Sequence, residues 1–335
     1  MKILILRFSS IGDIVLTTPV IRNLGQMQDS EVHYATKRAH AGLVEANPFV
    51  TKTHVLDSDL NLLISQLKKE KFDLIIDLHN NLRTKWIKFR LGTESKTVNK
   101  YNLQKWLLTN FKINKLPNNH IVDRYLETII HLKPTLDHEG LDYFIPEKDE
   151  VELDWLPEPF RQGYIALAIG GQFATKRLPK SRLIELCDRI NKPIVLLGDK
   201  QDALVGKEIE EFFTRSQSPN QYSEGLDELG KHAIVFNGCG KFNLNQAASL
   251  IKQSSFVFTH DTGLMHIAAA FKKQIFSTWG STVPEFGMYP YMTKFTIFEN
   301  KNLDCRPCSK IGFDKCPKGH FKCMNDVAFD FYLPD

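Results

Sequence analysis

Long apolar runs are missing from this chain: none approaches the ~20 residues that a helix needs to cross a bilayer. An export signal is not expected either, because Arg7 and Asp13 interrupt the apolar start MKILILRFSSIGD and no small-residue cleavage site follows. A cytoplasmic protein is therefore expected. Charge of one sign is not in large excess; the formal net charge of +4 is too small to imply nucleic-acid binding, and no such partner is expected. There is no low-complexity segment and no short repeat. Cysteine is sparse, six in 335 residues, and in a cytoplasmic protein these are not expected to form a disulfide framework.

What the chain does contain is an alternation of short apolar runs with longer segments of helical period, the pattern of a parallel α/β protein. At 335 residues it exceeds what one core organises, so two domains are expected. Strands are predicted at 3–6, 32–35, 54–56, 74–78 and 97–99, and again at 164–169, 193–197, 234–236, 256–259 and 274–277. Between the two sets, IPEKDEVELDWLPEPFRQG at 145–163 is rich in acid and proline and reads as a linker. The expected division is 1–150 and 160–335, two Rossmann-like domains facing each other across a cleft. In such sheets ligands bind beyond the carboxyl ends of the strands, which directs attention to the turns that follow them.

Four turns carry chemistry. SSIGD, Ser9 to Asp13, follows the first strand; Gly12 permits a tight turn, and Asp13 falls in the first turn of one helix running through Val15, Val20, Ile21 and Leu24. Asp13 suits a first-turn acid or a general base, and the local pattern does not choose. GGQFATK, with Gly171, Gln172 and Lys176, offers bare amides and one ammonium before a helix starting near Pro179, although it is neither a Walker A motif nor GxGxxG. In THDTGLMHIAAA, Asp261 or Thr262 can cap a helix while Thr262, Gly263 and Leu264 turn amides toward a diphosphate, with His266 on the first turn. LLGDKQDA ends another strand with Asp199 and Asp202, each able to take ribose hydroxyls or to cap a helix.

Two further regions stand out. From Arg83 to Arg124 there are ten Lys or Arg against Glu94 and Asp123, interleaved with Trp86, Phe89, Tyr101, Trp106 and Phe111, which suits either a solvated face or a membrane interface. Near the end, Cys305, Cys308, Cys316 and Cys323 with His320 have the density of a small zinc site or of a group of reduced structural thiols. Cys187 and Cys239 are isolated and read as core.

Taken together these segments resemble glycosyltransferase family 9, the heptosyltransferases of bacterial lipopolysaccharide core assembly. The resemblance is carried by ILILRFSSIGDIVLTTPVIRNL at 3–24, DLHNNLR at 77–83, HIVDRYL at 120–126, Lys176 with the Arg-Leu-Pro after it, LLGDKQD at 196–202 and THDTGLMHIAAA at 259–270. The CxPC and HxxCM elements of the tail are similar as well. The resemblance implies a GT-B fold with the acceptor on the first domain, the nucleotide-sugar on the second, and a tail packing back toward the first. It further implies inverting transfer of heptose from ADP-heptose to an anionic lipopolysaccharide inner core at the inner membrane surface, by a peripheral cytoplasmic enzyme with no metal and no cofactor.

Carried over by residue, the resemblance makes Asp13 the base and gives Lys176, Thr262 and Gly263 the charge on departing ADP. Gly171, Gln172, Asp261 and His266 complete the donor site, and Asp202 takes ribose. Ser9, Ser10, Gly12, Asn81, Arg83 and Arg124 line the acceptor side. Two positions depart from the family: Gly171 and Gln172 stand where hydroxyl residues are frequent, and Asp202 stands where Glu is common. The rival expectations are a GT-B nucleotide-sugar epimerase, a transferase of another nucleotide-sugar onto an envelope glycan, and a non-catalytic nucleotide-sugar binder.

Overall fold

The structure is a computed structural model and describes residues 1–216 and 233–334. Its elements run β1 Lys2–Leu6, α1 Ile11–Val15, α2 Thr18–Gly25, β2 Glu31–Lys37, β3 Lys52–Leu56, α3 Leu60–Glu70, β4 Leu74–Asp77, α4 Leu82–Leu91, β5 Ser95–Thr97, α5 Asn102–Phe111 and α6 Ile121–Leu126. There follow β6 Ile165–Ala168, α7 Lys180–Ile190, β7 Ile194–Leu197, α8 Ala203–Ser216, β8 Val235–Asn237, α9 Leu244–Gln253, β9 Val257–His260, α10 Gly263–Ala270, β10 Ile275–Trp279, β11 Phe295–Glu299 and α11 Lys322–Asn325. No helix among the described residues is long and apolar enough to cross a membrane.

The chain forms two units. One holds residues 1–103, 116–144 and 287–292; the other holds 104–115, 145–286 and 293–335, so the cysteine-rich tail counts with the second. The segment expected as a linker is packed rather than free: Asp149 accepts hydrogen bonds from Asn243 and Asn245 (2.9 and 2.8 Å), and the Val151 amide donates to Ser249 Oγ (2.9 Å).

Each unit is built on one fully parallel sheet. In the first the order is β3-β2-β1-β4-β5, with Leu4 opposite His33 on β2 and Ile75 on β4. In the second it is β11-β10-β9-β6-β7-β8, with Leu167 opposite Leu196 and Phe258. All ten predicted strands form, shifted at their ends by one or two residues. Strands such as ILIL and IALA are wholly buried because helices cover both faces, which is why they read as unbroken apolar runs.

Both sheets reverse strand order once. The first does so between β1 and β4 and the second between β6 and β9, and at such a switch the two neighbouring βα turns diverge and leave a crevice. The turns brought together are those bearing Asp13 and Asn81–Arg83 in one unit, and Gly171–Lys176 and Asp261–Gly263 in the other.

Two expectations are corrected. The single helix after SSIGD is two, broken at Leu16–Thr17, because Pro19 lies at the start of α2 and a proline nitrogen cannot donate to the preceding turn. The Thr17 and Thr18 hydroxyls donate to the Ile14 and Val15 carbonyls (2.7 and 2.8 Å), satisfying groups that the break exposes. An eleventh strand, β11, closes the edge of the second sheet; only Phe298 of FTIFE is buried, so its apolar signal was weak.

Candidate active site

At the first switch point the controlling residue is Arg7, which follows β1 and is buried. Its Nε donates to Ser9 O (2.7 Å), its Nη1 to Leu78 O (2.6 Å) and Tyr125 Oη (3.0 Å), and its Nη2 pairs with Asp13 Oδ2 at 2.6 Å. Asp13 is the third residue of α1, and the same Oδ2 accepts from the Ser10 amide (3.2 Å) and hydroxyl (2.8 Å). Burial works to raise the Asp13 pKa. The Arg7 charge and the Ser10 hydrogen bonds outweigh burial and hold the carboxyl at about 2. The Asp13 side chain retains 21% exposure while that of Arg7 has 6%, so the carboxylate and not the guanidinium is open to a ligand.

The turn after β4 lies beside it. Asp77, fully buried, accepts from the His79 and Asn80 amides (3.1 and 2.7 Å) and pairs with Lys88 Nζ at 2.9 Å, fixing the turn. Asn81 caps α4 by accepting from the Thr84 amide (3.0 Å). Arg83 is turned toward the β1 turn, its Cζ 5.3 Å from the Phe8 ring centre. Burial and the Arg7 charge push His79 down to about 4, so it is neutral at pH 7.

Arg124 is placed differently from the other expected acceptor residues. It is 1% exposed, its Nε and Nη2 donate to Asn119 Oδ1 and O (2.8 and 2.9 Å), and its Cζ stacks 4.9 Å from the Tyr101 ring centre. Gly287 closes over it: a Cβ there would stand 2.9 Å from Nη2. Other members of the basic segment are also spoken for within their own units, since Lys88 holds Asp77 and Lys112 donates to the Pro307 carbonyl (2.7 Å).

At the second switch point, Lys176 Nζ binds Asp261 Oδ2 at 2.5 Å and the Asp261 carbonyl at 3.2 Å. Thr282 Oγ1 donates to the same Oδ2 (2.7 Å). An ammonium has three donors, so these contacts aim Lys176 and leave one N–H for a ligand. Gly171 packs on Thr262, where a Cβ would meet Thr262 Cγ2 at 3.2 Å, so the two turns touch. Thr262 is the N-cap of α10, and the first-turn amides at Gly263 and Leu264 have no acceptor within the helix. Gln172 is exposed and His266 is buried in α10.

Asp202 faces inward. Its Oδ2 accepts from the Asp199 amide (3.0 Å), its Oδ1 pairs with Arg177 Nη1 (3.3 Å), and a Cβ on Gly170 or Gly198 would lie 2.3 or 2.8 Å from its Oδ2. Burial raises its pKa. The tail supports the Lys176 turn from behind: the Phe313 amide donates to Thr175 Oγ1 (2.8 Å), and the Thr175 amide to Phe313 O (3.1 Å).

All six cysteines are free. Burial and the neighbouring thiols push Cys323 up to about 12, and Cys305 Sγ lies 3.9 Å from His320 Nε2. Among the described residues, the set whose ligand atoms converge within 4.8 Å is His33, His54 and Glu70 instead. There the imidazoles bond each other at 2.9 Å and Glu70 pairs with Lys52 at 2.5 Å.

Arg7, Thr282 and Arg177 were not anticipated as site residues. Arg7 registered in the sequence only as a break in an apolar run, which was itself the signal, since a cation ending a buried strand needs a partner. Thr282 follows β10, and no local spacing links it to Asp261.

Two Rossmann-like units, each built on a fully parallel sheet that reverses its strand order once, match the GT-B architecture. The chain belongs to glycosyltransferase family 9 (heptosyltransferase), whose model matches residues 61–315. It is 27% identical over 290 residues to lipooligosaccharide heptosyltransferase 2 of Haemophilus influenzae, covering 79% of this chain and 75% of that one. Among solved structures it is similar to a family 9 glycosyltransferase of Veillonella parvula (TM-score 0.68, 21% identity, covering 88% of this chain and 86% of that one). It is similar also to the ADP-heptose lipopolysaccharide heptosyltransferase II of Escherichia coli (TM-score 0.66, 19% identity, covering 97% and 98%).

Proposed function

We propose that this glycosyltransferase moves a heptose from ADP-heptose to the inner core of lipopolysaccharide with inversion at the anomeric carbon, using Asp13 as the base. The first unit would hold the acceptor and the second the donor. The observation that carries the reading is the pair of charged clusters, Asp13–Arg7 and Lys176–Asp261, each at the switch point of its own sheet in a chain of this family.

In the proposed step the acceptor hydroxyl oxygen bonds to the anomeric carbon as the bond from that carbon to the β-phosphate oxygen breaks, and the electron pair leaves with ADP. Lys176, the Thr262 and Gly263 amides and the positive end of α10 take up the charge that develops there. The attacking oxygen becomes strongly acidic as it bonds to carbon. A carboxylate held at about 2 therefore accepts its proton at that stage, while remaining fully ionised beforehand. Gly171 and Gln172 border the diphosphate, Asp261 aims Lys176, and His266 supports α10 from within. Asp202 acts by bracing the Gly170 and Gly198 turns against which the nucleotide lies. Ser9, Ser10, Gly12, Asn81 and Arg83 frame the acceptor, with Arg124 holding the 119–120 segment in place. An acceptor of this kind is lipid-anchored, so the enzyme works peripherally at the cytoplasmic surface of the inner membrane.

The test is incubation of the purified chain with ADP-heptose and a core acceptor that lacks the heptose. The expected result is release of ADP matched by a product one heptose heavier with the opposite anomeric configuration. Conversion of the nucleotide-sugar to an isomer without acceptor would establish an epimerase instead, and preference for a UDP- or GDP-sugar would overturn the donor.

A further inference from the structure

Helix α4 has two apolar faces. One is buried and includes Thr84 and Ile87. The other is in water: Leu82, Trp86 and Phe89 are 84%, 44% and 75% exposed. At about 100° per residue these three positions fall in one narrow stripe, with Lys85 on one border and Arg90 on the other. Trp86 and Phe89 stack with ring centres 5.6 Å apart, and Arg90 Cζ lies 5.4 Å from the centre of the Trp86 ring. No acid occurs between positions 82 and 91.

Stability of the unit does not explain this face. Ile87 already anchors the helix, and three large apolar side chains in contiguous exposed array lose free energy in water that the Trp86–Phe89 stack and the Arg90 contact only partly offset. The borders select the occupant. An apolar protein surface would leave Lys85 and Arg90 idle, whereas an anionic bilayer offers both components: phosphates for the cations and the headgroup–acyl boundary for Leu82, Trp86 and Phe89.

We propose that the outward face of α4 seats the enzyme on an anionic phospholipid surface, a proposal that rests on the peripheral-membrane reading and gives it a place on the molecule. The same helix is capped by Asn81 and carries Arg83 in its first turn, both residues proposed for the acceptor. One rigid element of ten residues, about 15 Å long, would then carry the lipid contact and one edge of the acceptor site. A saccharide anchored in the bilayer would meet its enzyme without leaving the surface.

Flotation of the full chain with phosphatidylethanolamine–phosphatidylglycerol vesicles tests this, with phosphatidylcholine vesicles in parallel. The wild type is expected to float with the anionic vesicles and to dissociate as salt is raised. Replacing all three apolar residues, Leu82→Ser, Trp86→Ser and Phe89→Ser, should lower partitioning by about tenfold or more. Its thermal midpoint and its turnover of an acyl-free, water-soluble acceptor should be unchanged. Lys85→Glu with Arg90→Glu, which keeps the stripe, should abolish the preference for anionic over neutral vesicles. If the wild type floats and the triple variant floats equally, the contact lies elsewhere and only the membrane reading survives. If the wild type ignores every vesicle, both fall. If light scattering shows a wild-type dimer that the triple variant converts to a monomer, the face is an interface between copies and the proposal fails.

Discussion

The turns after β1 and β9 are built alike and biased in opposite directions. Each carries an aspartate at the mouth of a helix, and each aspartate is bonded to one cation at close range. At the β1 turn the cation is the hidden member, with Arg7 at 6% side-chain exposure against 21% for Asp13. At the β9 turn the carboxylate is the hidden member, with Asp261 at 10% against 17% for Lys176. The difference lies in the second partner. Arg7 spends its other donors on Ser9, Leu78 and Tyr125, which fixes it as scaffold, whereas Asp261 accepts from Thr282 as well as from Lys176, which orients the acid instead. In each half-buried pair the member left more open to solvent is the one a ligand can reach.

Exchanging the working member of each pair should break this symmetry by different routes. Asp13→Asn keeps shape and removes the base; turnover should fall by about a thousandfold, with ADP affinity by calorimetry unchanged. A variant that kept most of its activity would remove Asp13 from the chemistry. Lys176→Ala should act on the donor: losing a charge-assisted contact of about 2 kcal/mol weakens ADP binding roughly thirtyfold. Unchanged ADP affinity would take Lys176 out of the donor site.

The mildest test leaves both working residues in place. Arg7→Met removes the charge that, together with the Ser10 hydrogen bonds, outweighs burial at Asp13, so the carboxyl pKa should rise from about 2. Catalysis needs the ionised form, which is lost as pH falls through that pKa, so the acid limb of kcat/KM should move to higher pH. A limb at the wild-type position would show that another group sets it.

Much of this was readable in advance because it is local. Buried parallel strands announce themselves as short apolar runs, and glycine with Asp, Lys or Thr directly after them marks turns where a backbone must bend and a helix must be capped; SSIGD, GGQFATK and DTGLMH were found on that basis. The break between α1 and α2 is equally local, written in Pro19, yet the apolar period runs across it and predicts one helix. What escaped was of another kind. β11 was hidden because an edge strand buries little, and Arg7 and Thr282 because their partners are chosen by strand adjacency. Arg124 and Asp202 were visible as charges, but their burial depends on Gly287 in one case and on Gly170 and Gly198 in the other.

The sequence by itself determined the parallel α/β class, the two sets of strands and the chemical character of each strand-end turn, since these follow from side-chain period and from the steric demands of glycine and proline over a few residues. Only the tertiary structure decided that β1 lies beside β4 and β6 beside β9. Strand order is selected by the packing of whole faces, a sum over contacts distant in the chain, and no short pattern encodes it. That order sets Arg7 against Leu78 and brings Lys176 to Asp261, so that two ordinary helix-capping turns become charged pairs with one member left open.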